Sequence, residues 1–192
     1  MTGERCARGM NFADVIDYWT RDLPTADAEQ VEQHLFECSE CARYLEEIVA
    51  IGRAIGTGMR GAQFQSIVTD SVLNSLSRDG LRIRTYTPDP GKTIPCAVWA
   101  DDDLIVTRLR ADFTGFEQVE LLLARNDGVE LSRIKDIPVG AATREIVDAV
   151  PAARLRALPA CQLRLVLSGV REGKSQVIAE YGLEHAGNVV RS

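Results

Sequence analysis

Along the first eighty positions apolar residues recur every three or four places, and beyond Gly80 they alternate in short runs, so the pattern divides the chain into a helical part and a strand-rich part. Phe12, Val15, Ile16 and Trp19 form one stripe and predict a first helix over Phe12 to Thr20, ended by Leu23-Pro24. Val31, His34, Leu35 and Cys38 predict a second helix, with Thr25 or Asp27 as its cap. Ser39 is placed to cap a third, running to about Ile55 with Leu45, Ile48, Val49 and Ile55 facing inward. Gly56, Gly58 and Gly61 then predict a hinge, because glycine carries the largest entropy penalty in a helix. A fourth helix is expected from Phe64 to Arg78, on the stripe Phe64, Ile67, Val68, Val72 and Leu76, with Gly80 as its C-cap.

Beyond Gly80, runs rich in Val, Ile, Leu and Thr predict seven or eight strands. The clearer ones are Leu81 to Thr87, Ile94 to Ala100, Leu104 to Phe113, Gln118 to Ala124, Leu163 to Ser168 and Gln176 to Leu183. Pro88-Asp89-Pro90-Gly91, Asp101-Asp102-Asp103, Asn126-Asp127-Gly128 and Arg171-Glu172-Gly173 supply turns between them. The fold class expected is α+β in two domains, a small all-α domain over 1–80 followed by a β-sandwich-like domain over 81–192.

The demanding spacing is His34-x-x-x-Cys38-x-x-Cys41. Residues four apart on a helix share a face, so His34 and Cys38 can point at one metal, with Cys41 in the first turn of the next helix. Helix-start dipoles and a divalent ion both favour thiolates, and nitrogen and sulfur donors select zinc over magnesium or calcium. A closed tetrahedral site needs a fourth ligand, for which Cys6 is the candidate, being the one other cysteine in this half of the chain. Cys96 and Cys161 read as reduced core thiols, with a redox pair as the alternative. Asp101-Asp102-Asp103 reads as a solvated turn, since three successive carboxylates cannot all converge on one calcium ion.

The helix Phe12 to Trp19, its ending Asp22-Leu23-Pro24 and the run Val31-Glu32-Gln33-His34-Leu35-Phe36-Glu37-Cys38-Ser39-Glu40-Cys41 resemble the zinc-associated anti-sigma domain, over about residues 12–50 and loosely to 80. The resemblance implies three helices around one structural zinc and a fourth on a flexible link, together clamping an extracytoplasmic-function sigma factor and hiding its polymerase-binding surfaces. Family members with four ligands place the first close to where Arg8 stands here. Cys6 is displaced from that position, which leaves a shifted loop, another ligand or a site with no fourth protein ligand as alternatives. Many relatives carry a sensory module after the helices, one branch a metal-binding cupin. Here His185 is the one other histidine, so no metal is expected in the β-domain.

Charge sharpens the choice of partner. Residues 1–80 hold 7 Lys and Arg against 13 Asp and Glu, while 81–192 hold 15 of each. An acidic helical domain repels nucleic acid and suits a basic protein surface, such as the DNA-contacting face of a sigma factor. No apolar run approaches the roughly 20 residues of a spanning helix, and the first ten positions lack the apolar core of a signal peptide, so a cytoplasmic protein is expected. No phosphate loop or nucleophile elbow is present, so catalysis is not expected. The alternatives are a thiol redox sensor, in which oxidation of Cys38 or Cys41 expels zinc, and a zinc-stapled adaptor with another protein partner. Exposed apolar helix faces could also pair two copies of the free protein.

Overall fold

The computed structural model describes residues 6–60, 64–116, 118–140, 142–171 and 173–189. It is α+β, with helices in the first part of the chain and two sheets in the second. The chain forms two compact units, one of Met1–Gly58 with Asp70–Asp79, the other of Met59–Thr69 with Gly80–Ser192.

In the helical unit, α1 (Phe12–Thr20) starts where the Asn11 side chain accepts a hydrogen bond from the Ala13 N–H at 3.0 Å. It ends at Arg21, in the left-handed conformation at φ 63°, whose N–H bonds back to the carbonyls of Asp17 and Tyr18. The Thr20 hydroxyl donates to the Asp22 carboxylate at 2.7 Å. Hydrogen bonds from Ser71 and then Thr20 hold that carboxyl below its ordinary range. Thr25–Glu37 forms α2, and Ser39–Arg60 forms α3. Cys38 between them is extended at φ −124°, which turns the chain from one helix to the next. Ser39 is therefore the first residue of α3, and Cys38 takes the capping position.

The glycine hinge does not form: α3 continues through Gly56 and Gly58 to Arg60, while Gly61 lies outside the described residues. Each glycine disfavours a helix by about 1 kcal/mol, which extension of an existing helix can absorb where nucleation could not. Gly52 has a different role, since a Cβ there would stand 2.4 Å from Trp19 Cζ2. The missing side chain lets the α1 indole lie against the α3 backbone. The expected fourth helix is also shorter, with α4 spanning Asp70–Arg78 and the preceding Ser66–Ile67 forming strand β1. Ile67 and Val68 are β-branched, and an available sheet edge overrides their helical spacing.

The β unit adds β2 (Ile83–Tyr86), β3 (Thr93–Trp99), β4 (Leu104–Arg110), β5 (Gln118–Arg125), β6 (Glu130–Pro138), β7 (Glu145–Pro151), the short helix α5 (Ala152–Arg156), β8 (Cys161–Arg171) and β9 (Lys174–Val189). One sheet has the order β1-β7-β4-β2 and the other β3-β9-β8-β5-β6. Most pairings are antiparallel, but β2 runs parallel to β4 and β3 parallel to β9. Alternation carries Ile105, Leu109, Ile146 and Val150 of the first sheet into one core with Val98, Leu121, Leu165 and Tyr181 of the second, which makes a sandwich. Along one side the Tyr86 hydroxyl staples the sheets, donating to the Ala97 carbonyl at 2.6 Å and accepting from its N–H at 2.9 Å. Glu172 of the expected turn between β8 and β9 lies outside the described residues.

Asp148 on β7 is fully buried. Its Oδ1 accepts from Gln65 Nε2 at 2.7 Å, its Oδ2 has no partner among the described residues, and the Gln65 oxygen in turn accepts from Ser132. Burial pushes the carboxyl up to about 7, with Gln65 and Arg154 working against that rise. A raised folded pKa favours the protonated form, so the stability it contributes is complete below the unfolded value and is lost as pH climbs through about 7. Asp148→Asn, which mimics the neutral acid, is therefore expected to raise the thermal stability of the β unit at pH 8 by up to about 4 kcal/mol and to change little near pH 4. Melting curves of both proteins across that range check this, and an equal gap at every pH would contradict it.

Candidate metal centre

Four donor side chains from three stretches of sequence meet in the helical unit. His34 comes from the last turn of α2, Cys38 from the residue where that helix stops, and Cys41 from the first turn of α3. Cys6 comes from a turn ahead of α1, in which its N–H donates to the Met10 carbonyl and the Gly9 N–H donates back to the Cys6 carbonyl, both at 2.9 Å. Gly9 has φ 88°, a conformation that favours glycine. The turn is tied to α3 by the Ala7 N–H, which donates to the Glu40 carboxylate at 3.2 Å.

The four donor atoms lie within 4.8 Å of one another, and Cys6 Sγ is 3.4 Å from His34 Nε2. Zinc bonds of about 2.3 Å to sulfur and 2.0–2.1 Å to nitrogen give a tetrahedron with S···N edges of about 3.6 Å and S···S edges of about 3.8 Å. The cluster has the size and chemistry that one such ion requires. All three cysteines are buried and His34 is half-buried. Burial works to raise the Cys6 thiol, but N–H groups of Arg8 and Met10, together with Cys41 and His34, bring it down to about 7. Cys41 moves the opposite way, pushed up to about 12 by burial and by its neighbours Cys6 and Cys38. Close thiols resist ionising together, and a divalent cation removes that conflict while stabilising every thiolate.

The structure thus brings together His34, Cys38, Cys41 and Cys6. The apparent displacement of Cys6 is taken up by the reversing turn at Cys6 to Met10, which sequence spacing along a straight count could not register. The Glu40 contact that supports this turn had no separate signal, because Glu40 reads as one acidic residue among many.

Outside this cluster, the three aspartates of the turn after β3 are held by arginines of the preceding segment, Arg82 and Arg84. Asp101 accepts from Arg82 Nη1 and Asp103 from the Arg82 N–H. Asp102 is buried rather than solvated, and takes Arg84 in two hydrogen bonds of 2.7 and 3.0 Å and the Trp99 N–H at 2.8 Å. It is a structural anchor, reinforced by Arg156, which donates to the carbonyls of Trp99 and Asp102. Cys96 and Cys161 both stand in register with His185 on the intervening strand β9. Two strand spacings, about 9.6 Å, separate them, beyond the roughly 7 Å limit for a disulfide. Both are free thiols, and burial pushes Cys96 up to about 11. His185 is buried, and burial holds its pKa below the ordinary value, with the backbone of Leu158 and Leu155 working against that fall.

A reversing turn, a helix end and a helix start that together bring three sulfurs and an imidazole to one point define a zinc-finger type of site. Residues 15–42 match the family described as "Putative zinc-finger". Comparison with curated proteins gives no match. Among solved structures, the N-terminal domain of phage TP901-1 ORF48 shares 9% identity at a TM-score of 0.34, covering 55% of this chain and 99% of its own. That likeness is too slight to bear on function.

Removing bound metal with a strong chelator under reducing conditions is expected to melt the helical unit selectively. Far-ultraviolet circular dichroism should lose most of the helical signal while retaining the strand signal, and zinc should restore it. Helices unchanged by chelation of a metal-loaded sample would contradict this.

Proposed function

We propose that this protein is an anti-sigma factor, in which one structural zinc held by Cys6, His34, Cys38 and Cys41 shapes a helical unit that binds an extracytoplasmic-function sigma factor and withholds it from RNA polymerase. The observation that carries the reading is the coincidence of the zinc-finger family match at 15–42 with a Cys3His cluster of the right size. Charge supports it: ten acidic residues lie between Asp14 and Glu47 against Arg21 and Arg43, a balance suited to a basic protein and unsuited to nucleic acid. No helix among the described residues is long and apolar enough to cross a membrane. The reading takes the protein as a cytoplasmic binding protein without catalysis, and gives the β unit the part of signal receiver.

A second reading rests on the three thiols that share the cluster. Peroxide could oxidise two of them to a disulfide, itself being reduced to two waters, and the remaining donors would no longer close a tetrahedron. Sigma release would then follow oxidation.

Co-expression with an extracytoplasmic-function sigma factor from the same organism is expected to yield a one-to-one complex in size-exclusion chromatography, with about one zinc per chain by elemental analysis. Cys38→Ser and Cys41→Ser should lose both zinc and partner, and Cys6→Ser should lower zinc affinity by 10-fold or more. Independent migration of the two proteins would refute the anti-sigma reading, and a complex indifferent to peroxide would remove the redox one.

A further inference from the structure

Among the described residues of the helical unit, Phe36 is the most exposed large apolar side chain, ahead of Ile51 and Ile16. It is 86% exposed, although it lies in α2 between two of the clustered donors, His34 and Cys38. Helical spacing puts Glu29, Glu32, Gln33 and Phe36 on one face of α2, and all four are exposed, as are the adjacent Glu37 and Glu40. The result is one aromatic ring in a field of carboxylates. Arg43, the nearest basic residue along the chain, is engaged by Glu47 in a 2.6 Å ion pair.

An exposed phenylalanine places apolar area in water unless something covers it. Its position makes it a good anchor, because the cluster and the Cys38 turn fix the end of α2, so little backbone freedom remains to be lost on binding. Interfaces concentrate their energy in such aromatic anchors, which are ringed by polar groups that exclude water and set the choice of partner. The charge of the ring selects among occupants. A second copy would set the same acidic face against itself, and a membrane surface or a nucleic acid is anionic, so each is repelled. What fits is a protein surface with an apolar cup bordered by lysine and arginine.

We propose that the outer face of α2, centred on Phe36 and bordered by Glu29, Glu32 and Glu37, is a docking surface for a basic, apolar-cupped patch on the sigma factor. The proposal rests on the anti-sigma reading and adds the surface and the residue that anchor the partner. The ring supplies buried area, and the carboxylates supply long-range steering that salt weakens.

The test measures the dissociation constant of the zinc-loaded protein and its sigma factor in low and high salt, for wild type, Phe36→Ala and Glu29→Lys/Glu32→Lys. Phe36→Ala should weaken binding by 10-fold or more with unchanged zinc content and circular dichroism. The double charge reversal should weaken binding in low salt and flatten its salt dependence. A wild-type complex that Phe36→Ala leaves at the same affinity overturns the docking surface and leaves the anti-sigma reading standing. Absence of a wild-type complex overturns both. A Phe36-dependent self-association of the free protein, with no effect on the sigma complex, would assign the face to a second copy and likewise overturn the proposal.

Discussion

The helical unit depends on four donor atoms being held at one point. Its buried cluster consists of Cys6, Val15, Cys38, Cys41 and Ile48, with Met10, Phe12, Trp19, Leu35, Tyr44 and Leu45 packed partly around it. Three of the five buried members of that cluster are metal-type donors rather than hydrocarbon. A domain of this size sits where a single core is marginal and a metal staple commonly makes up the difference. The ordering of α1 against α2 and α3, the reversal at Cys38 and the turn at Cys6 to Met10 all converge on that point. The β unit is built differently. Its core joins both sheets through side chains such as Ile105, Leu121, Leu165 and Tyr181.

That contrast governs what could be read from the sequence. The periods that separate helix from strand come from burial on one face, and they located α1, α2, most of α3 and the clearer strands. The donor spacing was legible because coordination geometry admits few arrangements: His34, Cys38 and Cys41 are fixed by one helix end and one helix start. Cys6 was harder, since a reversing turn with glycine at positive φ shortens the path in a way that counting residues does not show. The glycine-rich stretch at 56–58 was misread because local propensity is weak beside the cooperativity of a helix already formed. Phe64 to Val68 was misread because a sheet edge more than eighty residues away in sequence competes for it. The pairing of β3 with β9, which puts Cys96 and Cys161 on opposite sides of His185, is likewise a long-range fact with no local signature.

Buried polar groups explain how the β unit fixes its register once a core is available. Asp102 accepts from Arg84 and from the Trp99 N–H, and Arg156 closes the same corner from α5, so one turn is held by partners from three elements. Such a network adds little net stability over apolar packing, yet any register that breaks it leaves a charge buried and unpaired. Asp148 shows the limit of that argument. One of its oxygens is satisfied by Gln65 and the other by nothing among the described residues, which makes it a liability when ionised. The same contact joins β7 to the residue just before β1, the strand that lies between α3 and α4 in the chain. A hydrocarbon at position 148 would fill the core equally well but would give Gln65 no acceptor. The carboxylate therefore trades stability for a defined position of that short edge strand, beside its pairing Ser66 with Ala149 and Ile67 with Asp148.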